Sequence, residues 1–263
     1  MDELKRSKLK RIIPLEEKGN EDELRHIKWT LRDILFSLLF LIAVLAAVYF
    51  GTAKIVSVLK IAERINSSNI TNFSFLILYG IQVLLMVGVV WFFAIYWRRA
   101  SFKDLGLKYY SIIKTIWYSF LALLLIILIN FAYVFIMTRV FNIAPSASKI
   151  EELAKNKNVS STMLMIVVSV VAPVCEEIFF RGFLFQGFRK KWGTFAGILI
   201  SSFLFAAAHL DLYNFLPLMA IGWILAYIFF KTKSLFPVIF LHATYNLLMI
   251  LVLFSQLNLI RTK

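Results

Sequence analysis

The sequence predicts an all-α protein, a polytopic transmembrane helix bundle of about seven spans. The first observation is composition: 60% of the 263 residues are hydrophobic and the mean hydropathy is +0.80, which excludes a soluble globular domain. The second is that the apolar residues gather in stretches of about 20 residues, the length of a bilayer-spanning helix. The third is that basic residues are unevenly distributed between alternate connecting segments, as membrane topology requires.

Seven apolar stretches are candidate spans. The fourth is interrupted by Glu176, Glu177 and Arg181, but Met163–Val174 is too short to cross a bilayer and the apolar pattern resumes at Gly182. In chain order the candidates are approximately Ile34–Gly51, Phe73–Trp97, Thr115–Met137, Met163–Phe188, Thr194–His209, Phe215–Phe230 and Leu235–Phe254.

The basic residues predict the orientation. The N-terminal tail and the segments Arg98–Lys114, Arg181–Lys191 and Lys231–Lys233 together hold 20 of the 29 Lys and Arg residues, and the alternate segments hold nine. Cytoplasmic loops are enriched in Lys and Arg, so we expect the N-terminus in the cytoplasm and the C-terminus outside. The net charge of +14 follows this topology and is not concentrated on a soluble domain, so we expect no nucleic-acid partner.

The chain divides into four regions. Residues 1–33 form a charged tail without the apolar core of a signal peptide, and residues 34–160 hold the N-terminal transmembrane helices and loops. Residues 161–255 form the core that carries the polar motifs described below, and residues 256–263 form a short C-terminal tail. The single cysteine, Cys175, excludes an intrachain disulfide and a CxxC metal site.

Two adjacent carboxylates lie inside the fourth predicted span. A carboxylate at bilayer depth costs roughly 2.5–3.5 kcal/mol on insertion scales. Glu176 and Glu177 must therefore either be neutralised by a partner or have a function that requires the charge. Arg181 follows Glu177 by four positions, on the same helix face, and we expect these two to form an ion pair. Glu176 has no such local basic partner.

Two of the three histidines fall in predicted spans and are expected to be buried. His209 follows Phe205 by four positions, and His242 precedes Asn246 by four. With Glu176, these residues supply a base, two imidazoles and an amide, the groups needed to attack and stabilise a carbonyl. Straight helices would spread them over about 14 Å in depth. We therefore expect helix tilts, or different helix boundaries near Leu235 or Gly193, to bring them together.

Three ordered motifs resemble those of the CPBP family of intramembrane proteases, which comprises CAAX proteases and bacteriocin-processing enzymes and is also called the ABI family. The motifs are E-E-x-x-x-R at Glu176–Arg181, F-x-x-x-H at Phe205–His209 and H-x-x-x-N at His242–Asn246. Together the three are specific, although each alone is weak. The resemblance covers about Ser101–Ile250, and residues 1–100 match no family we could name.

The resemblance implies a membrane peptidase in which Glu176 activates water and His209 holds or polarises it. His242 and Asn246 would then bind the developing oxyanion, while Glu177 pairs with Arg181. No cofactor is favoured, because the helical H-E-x-x-H zinc motif is absent. Zinc remains an alternative, with Glu176, His209 and His242 as ligands.

The expected substrate is a membrane-associated or amphipathic peptide within the bilayer of a bacterial plasma membrane. In the family, prenylated C-a-a-X tails are one substrate class, and bacterial members are linked to bacteriocin, pheromone or immunity functions. Two other functions stay open. One is a catalytically silent scaffold or regulator of the same fold, and the other is a proton-coupled transporter that relays protons through buried Glu and His residues.

Overall fold

The structure is a computed structural model that describes residues 24–61, 67–145, 149–155 and 160–261. Its side chains are described over residues 24–51, 54, 79–145, 150–155 and 160–257. The predicted N-terminal tail lies outside the described residues up to position 23. Within the described ranges all regular structure is helical, which confirms the all-α prediction.

Nine α-helices and three π-helical stretches follow one another along the described chain. In order they are α1 (Leu31–Ile61), α2 (Ser67–Val90) with a π-helical continuation (Trp91–Trp97), α3 (Ile112–Arg139), α4 (Lys149–Lys155), α5 (Ser161–Ile166), a π stretch (Val167–Val171), α6 (Ala172–Glu177), a second π stretch (Ile178–Phe185), α7 (Gln186–Ala208), α8 (Phe215–Thr232) and α9 (Leu235–Arg261).

Six helical stretches in the described part of the chain are long and apolar enough to span a membrane. One of them, Ser161–Ala208, contains 48 residues, about 72 Å of helix and more than twice the thickness of a bilayer core. It is broken at Gly193, where φ is 85° and ψ is 172°. Only glycine adopts this conformation readily. The stretch therefore makes two crossings, and the prediction of about seven spans is confirmed.

The break at Gly193 sets the depth of two polar residues. Glu176 precedes Gly193 by 17 positions and His209 follows it by 16. Both residues therefore lie about 25 Å along their helices from the turn. The sequence-based end of the fourth span at Phe188 was too early, because the helix continues to the residue before Gly193. This correction removes the depth mismatch between Glu176 and His209.

Helix α9 begins at Leu235, as predicted, but its first residue is buried inside the bundle. The Leu235 backbone N–H donates to the Gly106 carbonyl (2.8 Å), and the Ser234 hydroxyl donates to the Lys108 carbonyl (2.6 Å). A Cβ on Gly106 would lie 2.6 Å from the Phe229 ring. The connection after α2 therefore packs tightly against α8 and the start of α9, which raises His242 towards the depth of Glu176.

The segment before α1 packs beside the connection after α2, on the same end of the bundle, and Lys28 Nζ donates to the Arg99 carbonyl (2.6 Å). Ile27 and Trp29 have no exposed surface, and the Trp29 indole N–H donates to the Phe183 carbonyl (3.0 Å). A Cβ on Gly187 would lie 3.1 Å from the Trp29 indole nitrogen and closer still to Ile34 at the start of α1. The absence of a side chain at Gly187 therefore permits the close approach of this segment to α7.

Candidate active site

The carboxylate pair lies in α6, a single short helix between two π-helical stretches. A π turn places an extra residue in the helical ring, is rare, and occurs frequently at functional sites. Pro173 at the start of α6 lacks a backbone N–H, so it cannot complete the ordinary helical ladder there. The wider turns before and after α6 therefore change the directions in which Glu176 and Glu177 project, compared with a continuous α-helix.

Glu177 is held by two basic groups. Its Oε1 accepts a hydrogen bond from Arg181 Nη1 at 2.7 Å, and His242 Nδ1 lies 2.7 Å from the same oxygen. Glu177 and Arg181 have no exposed side-chain surface. The expected ion pair between them is present, and His242, which the sequence did not connect to Glu177, completes the cluster.

Arg181 also contacts two neighbouring helices. Its Nη2 donates to the Gly222 carbonyl of α8 (3.1 Å), and its Cζ atom lies 4.5 Å from the centre of the Phe205 ring. This is within the range of a cation–π interaction. The arginine thus connects the carboxylate helix to α7 and α8, and a buried charge gains the partners that it needs.

Glu176 has a different environment. Its Oε2 lies 3.9 Å from His242 Nε2, too far for a hydrogen bond. This oxygen is buried and has no hydrogen-bond partner among the described residues. Each glutamate has an Oε2 atom without a hydrogen-bond partner among the described residues. They are nevertheless inequivalent, because Glu177 is charge-compensated by Arg181, whereas Glu176 lines the cavity described below.

Phe205 lies at the centre of the motif residues. Its ring centroid is 4.7 Å from that of His209 and 5.7 Å from that of His242. His209 Nδ1 lies 2.7 Å from the Phe205 carbonyl, which can only accept, so Nδ1 carries the proton and the neutral ring leaves Nε2 with a free lone pair. His209 is exposed and not buried as expected, because α7 ends at Ala208 and His209 caps it at the wall of a cavity.

Asn246 projects from α9 one turn after His242. Its Nδ2 donates to the Val168 carbonyl (3.0 Å), in the π stretch before α6. An amide nitrogen has two N–H groups, so one remains for another acceptor. His242 Nδ1 contacts Glu177, so Nε2 is the atom of that ring that can face a substrate. Donation from Nε2 requires the doubly protonated ring.

A cavity of about 860 Å³ contains Glu176, His209 and Asn246 in its wall. This is the volume of an ordinary ligand site. His242 lies behind Glu176 and does not line it. Other polar residues of the wall were not singled out by the sequence, because they come from helices and loops that are far apart in the chain. They are Tyr79, Asn130, Glu151, Glu152, Asp211, Tyr213, Asn214 and Tyr245.

The zinc alternative requires three protein ligands around one ion. In the part of the chain that the structure describes, no group of three or more His, Cys, Asp or Glu side chains is close enough to hold a metal ion. The set Glu176, His209 and His242 does not assemble as a three-ligand site in this arrangement.

Comparison with known proteins agrees with the motif resemblance. Residues 158–248 match the model of a family described as Rce1-like, type II CAAX prenyl endopeptidase Rce1-like. These residues include Glu176, His209, His242 and Asn246. No solved structure matches the chain.

Curated relatives match over a similar length. The protein named "Putative membrane peptidase YdiL" of Bacillus subtilis is 37% identical over 84 residues, 32% of this chain and 34% of that protein. An "Uncharacterized 24.3 kDa protein" of Escherichia coli is 34% identical over 77 residues, 28% of this chain and 36% of that protein. The chain thus spans about a third of the length of these relatives.

Proposed function

Residues 158–248 of this chain belong to the CPBP family of intramembrane proteases, and from this premise we propose that the protein is a glutamate-dependent endopeptidase. It is an integral membrane protein with several apolar helices. The proposed reaction is hydrolysis of a peptide bond in a membrane-associated or amphipathic peptide. The proposed location is a bacterial plasma membrane with the N-terminus in the cytoplasm, supported by the bacterial relatives and by the distribution of basic residues.

The observation that carries the proposal is the inequivalence of the two glutamates. Glu177 is neutralised by Arg181 and contacted by His242. Glu176 Oε2 lies 3.9 Å from His242 Nε2, and Glu176 lines the cavity, which Glu177 does not. A general base must be within reach of the proton that it removes and must not be committed to another group. Glu176 meets both requirements.

The proposed reaction uses one water molecule. Glu176 takes a proton from the water while His209 Nε2 holds it, and the water oxygen bonds to the scissile carbonyl carbon. The charge on the carbonyl oxygen is stabilised by donors from Asn246 and His242. Glu176 then gives the proton to the leaving nitrogen as the C–N bond breaks. The products are a carboxylic acid and an amine, and the base is regenerated.

The remaining motif residues hold this arrangement together. Glu177 orients His242 through Nδ1, and Arg181 prevents Glu177 from being an uncompensated buried charge. Phe205 packs between both histidines and under the guanidinium of Arg181. These three residues position the reacting groups and do not exchange protons with the substrate.

A comparison of membrane peptides tests the proposal in cells. One strain carries the intact protein and a second carries Glu176→Gln, which keeps the shape of the side chain and removes the base. Peptides that are cut only in the first strain identify the substrate. Identical peptide sets, with both proteins present in the membrane at equal levels, would contradict the proposal.

A further inference from the structure

The charge of the cavity wall is opposite to that of the chain. The protein has a net charge of +14, but the cavity is lined by Glu151, Glu152, Glu176 and Asp211, and no Lys or Arg is among the described residues that line it. Four of the seven acidic side chains in the described part of the chain thus face one cavity. The interior therefore favours positive charge on whatever enters.

The four carboxylates differ in their compensation. Glu151 pairs with Lys155 at 2.5 Å within α4. Asp211 accepts from the backbone N–H (3.0 Å) and the side chain of Asn214 (2.8 Å), which orient its carboxylate without neutralising it. Glu152 is exposed and lines the cavity. The negative charge of the wall is therefore only partly balanced by the described residues.

Unpaired polar atoms give a second, independent indication of a polar ligand. Glu176 Oε2 and the Tyr213 hydroxyl are both buried and have no hydrogen-bond partner among the described residues, and both residues line the cavity. A carboxylate oxygen can only accept, so it requires a donor. Three tyrosines, Tyr79, Tyr213 and Tyr245, also line the cavity, and tyrosine rings attract cations.

The remainder of the wall is largely apolar, with Leu153, Leu164, Leu218 and Ile250 among its residues. This surface suits the apolar face of an amphipathic segment. From these observations, and resting on the proposed function, we propose that the substrate of this cavity is a cationic amphipathic peptide segment. Its Lys or Arg side chains contact the acidic wall, and its apolar face packs on the remaining surface.

The test measures binding separately from cleavage. The protein is the full chain with Glu176→Gln, to prevent turnover, in nanodiscs of phosphatidylcholine, which carries no net charge. The probes are two short amphipathic peptides with the same apolar residues, one with Lys and the other with Glu at the polar positions. The Lys peptide is expected to bind more tightly, and raising the salt from about 0.02 M to about 0.3 M should reduce the difference by screening.

Three variants on this background change one charge each. Glu152→Gln is expected to weaken binding of the Lys peptide about 2- to 5-fold, the range of an exposed charge pair. Lys155→Gln removes the positive charge that pairs with Glu151 and should strengthen binding by a similar factor. Lys103→Gln, an exposed lysine in the connection after α2, is the matched control and should leave the affinity unchanged.

The outcomes separate this inference from the proposed function. Equal affinities for the two peptides, or equal responses to Lys155→Gln and Lys103→Gln, would overturn the cationic assignment. If the protein with Glu176 intact cleaves both peptides with the same kcat/KM, the endopeptidase proposal stands and the cationic assignment fails. If the Lys peptide binds with the expected charge dependence but is never cleaved, the assignment of the ligand stands and the endopeptidase proposal fails.

Discussion

At the scale of single residues, the site depends on two adjacent glutamates that make different contacts with the surrounding side chains. Glu177 contacts Arg181 and His242 through the same oxygen and does not line the cavity, whereas Glu176 lines it. A carboxylate that is bonded to a guanidinium is a poor proton acceptor, because protonation would break a charge-assisted hydrogen bond. These contacts support the proposed division into a positioning and a reacting glutamate.

The first prediction concerns the buried ion pair. Glu177→Gln and Arg181→Met should each lower the free energy of unfolding by about 3–5 kcal/mol, because each leaves the other charge uncompensated in the interior. The double variant should cost less than the sum of the two. Denaturation of the purified proteins in detergent measures this coupling energy. Additive effects of the two substitutions would show that the pair is not energetically coupled.

The second prediction concerns His242 and Asn246. If both donate to the oxyanion, His242→Ala and Asn246→Ala should each lower kcat about 10²–10³-fold and change KM by no more than a few-fold. Thr244→Ala is the control, because Thr244 lies between them on α9 and its hydroxyl bonds the Phe240 carbonyl of the same helix. Steady-state kinetics on an identified peptide distinguishes the roles. A rise in KM with unchanged kcat would instead assign these residues to ground-state binding.

At the scale of elements, the turn at Gly193 aligns the first two motifs. Glu176 and His209 are nearly symmetric about it in sequence, so a helical hairpin places them at the same depth. The turn depends on a backbone conformation with φ of 85° and ψ of 172°, which costs other residues about 1–3 kcal/mol. A single glycine thus determines whether residues more than thirty positions apart can share a site.

The third prediction follows from this turn. Gly193→Ala should lower the free energy of unfolding by about 1–3 kcal/mol, although no atom lies within 4 Å of the added Cβ. Gly88→Ala is the matched control, since it adds the same methyl group in open space within α2 and should be neutral or slightly stabilising. Thermal unfolding in detergent compares the two. Equal shifts in Tm for both variants would show that backbone conformation at Gly193 is not limiting.

The sequence predicted the parts of this arrangement that depend on local geometry. Glu177 and Arg181 are four residues apart on one helix, so their pairing required no knowledge of the tertiary structure. The contact between His242 and Glu177 could not be predicted in this way, because it joins residues 65 positions apart. Its prediction requires the relative depth of α6 and α9, which hydropathy does not report.

Hydropathy also misplaced one helix end and missed part of the site. The fourth span was ended at Phe188, because Arg189 and the two lysines that follow it resemble a loop, but the helix continues through these charged residues to the turn. Arg189 is buried, with its Cζ atom 4.9 Å from the Phe230 ring. The acidic residues Glu151 and Glu152 were assigned to a loop, and their place at the cavity depends on how α4 packs.

At the scale of the whole molecule, the seven crossings and the distribution of basic residues together imply an orientation. The cavity includes residues from α4 and from the connection between α7 and α8. Helix α4 and this connection both belong to the alternate segments that are poor in Lys and Arg. In the proposed orientation, which follows the positive-inside rule, the side of these segments is the exterior, and substrates would enter the cavity from outside the cytoplasm.

The fourth prediction tests this orientation. In a Cys175→Ser background, Leu212→Cys should react with an impermeant thiol reagent added to intact cells, because Leu212 is 91% exposed in the connection after α7. Lys103→Cys, exposed in the connection after α2, should react only after permeabilisation. The reverse pattern would invert the molecule in the membrane and give the cavity a cytoplasmic entrance.

The central claim is that Glu176 activates a water molecule for hydrolysis, and its most direct test is cleavage of an identified peptide in H₂¹⁸O. Purified protein should produce a new C-terminal carboxylate that carries one ¹⁸O atom, as mass spectrometry measures directly. Glu176→Gln should abolish this product while the variant keeps the thermal stability of the intact protein. Near-normal turnover by Glu176→Gln, or a product without ¹⁸O, would contradict the account.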